Sequence, residues 1–303
     1  TGSGDKGWGQ TAIGSVAAAG TVTATQWATL VNNLASAGSQ TNTTLTARTA
    51  PSAGQTIGIL AALSTDITNV TTNRGYAAAS GTQYGTFSGT TSKTTGTGNG
   101  SSAWSITFTH TVTFASADAA RYFWNAGGLV KIQMGKSSTG TDKDPDWNAF
   151  VGTVGTLYLS GRVNGALQVI AGTSYTGFTR VGGSGTPSLN NNTVGWYSLT
   201  GGAAAYNIWK LNESVYPYGS DYINVAVQVD SGRTVLTLTT TWYDNGITPY
   251  AGKTNNISGG TATGSPSTTI TGTAPTVLVT YLPPSTSYIS QTWGTPTIAA
   301  SVA

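Results

Sequence analysis

The chain has 303 residues, only 8% of them Asp, Glu, Lys or Arg, with a formal charge of +3, no Cys, one His (His110) and one Glu (Glu213). An average soluble domain is about 25% charged, so exposed positions here must be filled largely by Thr, Ser, Gly, Asn and Gln. These totals exclude disulfides, thiolate metal sites and Cys nucleophiles, and basic residues this scattered do not form the clustered stripe of a nucleic-acid groove.

Residues 1–22 are rich in Gly, Ala and Thr and read as an extended arm. A helix follows, with Trp27, Leu30, Val31 and Leu34 at i, i+3, i+4 and i+7. Thr23 and Gln26 have capping-box spacing at its start, and Gly38 is placed to end it. In a second helix Leu60, Leu63, Ile67 and Val70 share one face, running to about Arg74. Both helices have an apolar stripe and almost no charge opposite it, which suits pairing as a hairpin or packing with other subunits. The predicted assembly helices therefore present Trp27, Leu30, Val31, Leu34, Leu60, Leu63 and Ile67. The plainer alternative is that they pack on the chain's own body. Residues 75–102, mostly Gly, Thr and Ser, read as a linker.

From residue 103 the period changes to two. Trp104, Ile106, Phe108, His110, Val112 and Phe114 alternate with Ser105, Thr107, Thr109, Thr111 and Thr113, the pattern of a strand with one apolar face and one hydroxyl face. Ser116 can cap a short helix, Asp118 complements its positive end, and Gly127-Gly128 stop it before a strand over Leu129–Met134. Asp144-Pro145 opens another helix with Trp147, Phe150, Val151 and Val154 on one face. Strands are predicted over Thr156–Arg162 and Leu167–Ala171, and a hairpin joins Ile223–Val229 to Leu236–Trp242 through Asp230-Ser231-Gly232. Val277, Val279 and Tyr281 mark a last strand, stopped by Pro283-Pro284. Segments 172–195 and 245–274 read as long loops, and the polar tail from Ser285 reads as an extended arm around Trp293.

The expected fold is mainly β, of α+β type: an N-terminal arm and helices (1–74), a linker (75–102), and a β-sandwich-like body with short inserted helices and an extended tail (103–303).

The usual catalytic constellations are poorly supplied. His110 sits mid-strand on an apolar face, a structural position rather than that of a triad base. Asp142, Asp144 and Asp146 begin like a calcium loop, but the sixth and twelfth positions hold Trp147 and Thr153 instead of Gly and Glu. Helix capping is the simpler role. Asp244, beside Trp242 and Tyr243, is the acid least accounted for, and a second carboxylate of the kind glycosidases need is not evident. No cofactor and no metal is expected. Residues 196–250 are rich in aromatics, and exposed rings can stack on sugars or anchor interfaces. The candidates for glycan or interface contact are Trp196, Tyr197, Trp209, Tyr218, Trp242, Tyr243 and Tyr250, with core packing the competing use of the same rings.

The stretch Val112-Thr113-Phe114-Ala115-Ser116-Ala117-Asp118-Ala119-Ala120-Arg121-Tyr122-Phe123-Trp124-Asn125-Ala126-Gly127-Gly128-Leu129-Val130-Lys131-Ile132 resembles a segment of virion structural proteins of tailed phages, notably myovirus-type phages of cyanobacteria. Those carry a second Phe where this chain has Trp124. The opening, Trp8-Gly9-Gln10 through Gln26-Trp27, is similar to the start of such proteins. The resemblance covers roughly 8–74 and 104–160 and brings no catalytic residues with it. It implies a non-enzymatic virion protein of the tail, baseplate, neck or a fibre, made in the host cytoplasm and carried on an extracellular particle. Its expected partners are copies of itself, other virion proteins and, for an appendage, a host surface glycan. Nucleic-acid binding and membrane insertion are not expected, there being no apolar run of about 18 residues. The runner-up is a capsid decoration protein or extracellular filament subunit, and the remote alternative is a carbohydrate-active enzyme.

Overall fold

The computed structural model describes residues 2, 4–77, 87–92, 97–98, 104–137, 144–162, 168–214, 219–245 and 273–303. Two helices, α1 (Ala24–Gln40) and α2 (Leu60–Thr72), come first. Three strands follow, β1 (Tyr76–Ala77), β2 (Phe87–Ser92) and β3 (Thr97–Gly98). Next are β4 (Trp104–Thr113), α3 (Ala117–Asn125), β5 (Leu129–Gly135), α4 (Asp144–Val154) and β6 (Thr156–Ser160). The remainder is β7 (Gln168–Ile170), β8 (Thr173–Tyr175), β9 (Phe178–Val181), β10 (Leu189–Asn190), β11 (Tyr206–Asn212), β12 (Tyr222–Val229), β13 (Val235–Asp244), β14 (Thr276–Leu282) and β15 (Thr297–Val302).

The mainly β architecture is as expected. One sheet runs β10-β11-β12-β13-β4-β15, with β3 also paired to β4, and a second runs β2-β14-β5-β6-β9. Their inward rows, including Ile106, Phe108, Leu236 and Leu238 from the first and Val130, Ile132, Leu157 and Val279 from the second, share one hydrophobic core. The apolar stripes of α3 (Phe123, Trp124) and α4 (Trp147, Phe150, Val151, Val154) belong to the same core. A third small sheet, β1-β7-β8, has its own cluster of Ala77, Leu129, Ile170 and Tyr175, against which Tyr158 and Leu282 pack.

Local chemistry explains the strongest elements. Thr23 and Gln26 form the reciprocal capping box that starts α1. Ser116 Oγ accepts from the Ala119 N–H at 3.1 Å, and Asp118 pairs with Arg121 at 2.8 Å one turn on. Gly127 has φ +106°, and a Cβ on Gly128 would collide with the Phe123 ring. Both glycines are therefore needed for the turn into β5. At the β12–β13 hairpin, burial alone would raise the Asp230 carboxyl. Backbone N–H donors from Val235, Thr234 and Gly232 outweigh it and hold the group below its usual range.

Several expectations are corrected. Gly38 does not end α1, which runs on to Gln40. A Cβ there would lie 2.7 Å from Leu45 Cδ1, so the glycine makes room for the returning chain. The expected linker contains strands: β2 pairs with β14 and β3 with β4, each completing a ladder whose other strand supplies the order. The segment read as a loop over 172–195 contributes β8, β9 and β10. The stretch 245–274 falls almost wholly outside the described residues. The tail is no free arm. Trp293 is 1% exposed, and β15 pairs antiparallel with β4 from Thr297↔Thr113 to Val302↔Phe108. The N-terminal arm is divided. Trp8 is buried, Gln10 bonds both ways with Ser290, and Asn125 Nδ2 donates to the carbonyls of Asp5 and Gly7, which docks residues 4–10 on the body. Residues 11–22 are exposed throughout.

Candidate functional site

Two surfaces stand out, and each follows from the periodicity beneath it. The first is the outward face of β4, β13 and β12. Since side chains alternate along a strand, the odd-numbered residues of β4 and β13 point away from the core. Their register makes three facing Thr pairs, Thr107↔Thr241, Thr109↔Thr239 and Thr111↔Thr237. Beyond them β12 adds Asn224, Ala226 and Gln228. Cross-strand Thr pairs stabilise a sheet by about 0.2–1 kcal/mol each, so the hydroxyl rows hold the sheet while presenting no charge. At one end Ser105, Tyr243 and Tyr222 are aligned across three strands. The two tyrosine rings stack at 4.8 Å, and the Lys210 ammonium lies 3.9 Å from the Tyr222 ring centroid. Asn224 Nδ2 donates to Asn207 Oδ1 at 2.8 Å, so amides on this face are already oriented.

This placement sorts the aromatic candidates. Trp196, Trp209 and Trp242 are buried to within 1% and cannot touch a glycan or a neighbouring subunit. Trp196 stacks on Trp124 at 5.4 Å, and Trp242 stacks on Trp147 at 5.7 Å with the planes 7° apart. Their parity is the reason for Trp242, an even residue on β13. For Trp209 it is a β-bulge at Asn207/Trp209 that turns both Ile208 and Trp209 inward. Tyr243 does reach the outward face. Tyr218 and Tyr250 lie outside the described residues. Lys210, Asn207 and Asn224 escaped the sequence reading because nothing local marks them; their assembly on one face depends on strand order.

Tyr197 is 40% exposed, but its hydroxyl is tucked against α3, 2.7 Å from Asn125 Oδ1 and 3.2 Å from the Arg121 carbonyl. Burial pushes that hydroxyl up to about 12, against the opposing pull of Arg162, Arg121 and Arg233. A tyrosine titrates near 10 when unfolded, so the folded state keeps its proton while the unfolded state loses it. The stability present below pH 10 is therefore lost as pH rises through about 12. Unfolding midpoints measured from pH 9 to 12 are expected to fall, and to fall less steeply in Tyr197→Phe; identical slopes would contradict this placement of the hydroxyl.

The described acids have structural places. Asp244 is fully buried and accepts from Trp147 Nε1 at 3.1 Å, which gives the least explained carboxylate a place in the core. Asp144 is the first residue of α4, Asp146 is buried, and Asp142 lies outside the described residues. Among the described residues no group of three His, Cys, Asp or Glu is arranged to hold a metal ion. His110 is completely buried in β4 opposite Leu238.

The second surface is N-terminal. Leu34 and Leu63 are buried, Trp27, Leu30 and Val31 are half-buried, and Leu60 and Ile67 are 58% and 43% exposed. The helices touch each other, so part of each stripe is used within the chain. Leu60 and Ile67 lie seven residues apart and continue the stripe into solvent. Ile57, just before α2, and Ile13, Val16 and Val22, before α1, are also exposed. Between residues 7 and 92 the chain has three charged residues, Arg48, Asp66 and Arg74, and Arg48 is ion-paired to the buried Asp66. No helix among the described residues is long and apolar enough to cross a membrane.

Comparison of the chain with protein-family models, with curated proteins and with solved structures finds no match.

Proposed function

We propose that this chain is a non-enzymatic structural subunit of a virion, belonging to the tail, baseplate, neck or a fibre, and that it works as a homo-oligomer. The observation that carries the reading is the N-terminal surface. It exposes Leu60, Ile67, Ile57 and Val22 on a stretch whose charged residues are Arg74 and the ion-paired Arg48 and Asp66, and a charge-poor apolar surface fits another copy of itself better than any charged partner. Leu60 and Ile67, two turns apart on α2, make an exposed apolar strip, and exposed apolar patches mark interaction sites. The resemblance of residues 112–132 to tailed-phage structural proteins supports the choice of particle. A capsid decoration protein or filament subunit would use the same surfaces.

Light scattering on the full chain at micromolar concentration is expected to give a multi-subunit species, with regular particles in negative-stain micrographs. A lone monomer that stays monodisperse at millimolar concentration would overturn the reading. Stacking at constant rise would select a tube or filament over a fibre.

A further inference from the structure

A groove of about 350 Å³ runs between the N-terminal segment, α1 and the C-terminal tail. Trp8, Ala37 and Ile289 supply its apolar part, and the rest of the lining, Gln10, Asn33, Ser36, Thr286, Tyr288 and Ser290, carries amides and hydroxyls. Among the described residues, none that lines it is charged. The hydrogen bonds between Gln10 and Ser290 fasten the N-terminal segment to the tail beside it. Immediately after Gln10 the chain leaves the body. Every residue from Thr11 to Val22 is exposed, none is in a helix or strand, and the chain rejoins the fold at the Thr23 cap of α1. This excursion carries Ile13, Val16 and Val22 into solvent, separated mainly by Ala and Gly, without a single charge.

We propose that residues 11–22 of one subunit occupy this groove on a neighbouring copy, making the arm an exchanged connector of the assembly. The inference rests on the self-assembly reading and adds to it which surface meets which. The complementarity is chemical. The groove offers uncharged hydroxyl and amide groups with the edges of an indole and aliphatic carbon among them, and the arm offers isolated aliphatic side chains on a slim backbone whose own N–H and C=O groups can pair with them. Entry therefore desolvates no ion on either side, whereas a charged peptide would lose hydration with nothing to pair against. Reach is sufficient for a subunit in direct contact, since a loop of about twelve residues, about 40 Å in contour, extends up to about 20 Å from its two anchors. Because both ends of the arm are fastened, it can bridge to a neighbour as a loop without unfolding the rest of the subunit.

The absence of Cys from the chain permits a clean test. Two single variants, Val16→Cys on the arm and Ser36→Cys beside the groove, are co-expressed and oxidised, and the disulfide-linked peptides are identified by mass spectrometry. Each chain carries one thiol, so a disulfide between the arm position and the groove position joins two subunits. Both positions are exposed, which leaves folding undisturbed. The expected result is that this link exceeds, by at least about tenfold, the link from Val16→Cys to a Ser231→Cys control at the β12–β13 turn. Equal yields from the two pairs, in a preparation that light scattering shows to be multimeric, would overturn arm exchange and leave self-assembly standing. A monomeric preparation would overturn both. A Val16→Cys/Ser36→Cys double variant that closes only within one chain would also overturn exchange, showing that the arm folds into its own groove.

Discussion

Replacing Trp147 by Ala is expected to lower the unfolding free energy by about 5 kcal/mol. Trp147 is 4% exposed on α4 and lies between two other indoles, 5.7 Å from Trp242 and 5.1 Å from Trp104, with Phe150 at 5.5 Å. Removing a buried Trp side chain typically costs about 3–5 kcal/mol through lost transfer energy and the cavity left behind. Here the same change deletes the N–H that Trp147 donates to the fully buried Asp244 carboxylate, and a buried acceptor deprived of a donor adds about 1–3 kcal/mol. Trp147→Phe separates the two effects. It keeps most of the ring contact and loses the donor, so a smaller loss of about 1–3 kcal/mol is expected. Chemical denaturation of the pair checks both values. A loss under about 2 kcal/mol for the Ala variant would mean that the α4 stripe is not part of the core as described.

The second large effect is on association. Carrying carboxylates at both Leu60 and Ile67 (Leu60→Asp with Ile67→Asp) is expected to convert the multimer to monomers with little change in melting temperature. Both positions are exposed in the single subunit, where substitutions usually stay within about 0.5 kcal/mol. In an interface the balance reverses. An uncompensated ion shut into an apolar contact costs several kcal/mol, and each 1.4 kcal/mol is about tenfold in affinity, so association should weaken at least about a thousandfold. Sedimentation velocity on the parent and the double variant decides the matter. An unchanged profile would remove the helical surface from the assembly and leave the arm and the Thr-rich sheet face to account for it.

The two predictions concern different kinds of residue, and the sequence distinguished them unequally. The α4 stripe was legible because Trp147, Phe150, Val151 and Val154 repeat at helical spacing, and all four are buried. The helical stripes of α1 and α2 were equally legible as stripes. Which part of each is spent inside the chain was not, because that depends on where the helices touch each other and the core. Leu63 is covered and Leu60, three residues away, is not. Among the aromatics, parity on β13 separates Trp242 from Tyr243 once the strand is known. At β11 the bulge buries consecutive residues and breaks the period-two pattern, which is why no strand was read there. Asp244 looked anomalous beside two aromatics, and one of its partners, Trp147, stands on a helix nearly a hundred residues earlier in the chain.

What the sequence alone determined is the local grammar: the capping box at Thr23, the Ser116 helix start, the Thr-faced strand from Trp104 to Thr113, the hairpin turned at Asp230, and a composition too poor in charge for an ordinary free surface. Each is encoded within about ten neighbouring residues, where dihedral preferences, side-chain caps and alternation act directly. The tertiary structure decided what no window of that size contains. It placed the C-terminal strand beside β4, recruited Gly- and Thr-rich segments into sheets, sent three of the candidate tryptophans into the core, and left residues 11–22 outside, beside a groove. Burial is a property of partners, and these partners are brought together only when distant strands pair and the two sheets close over one core.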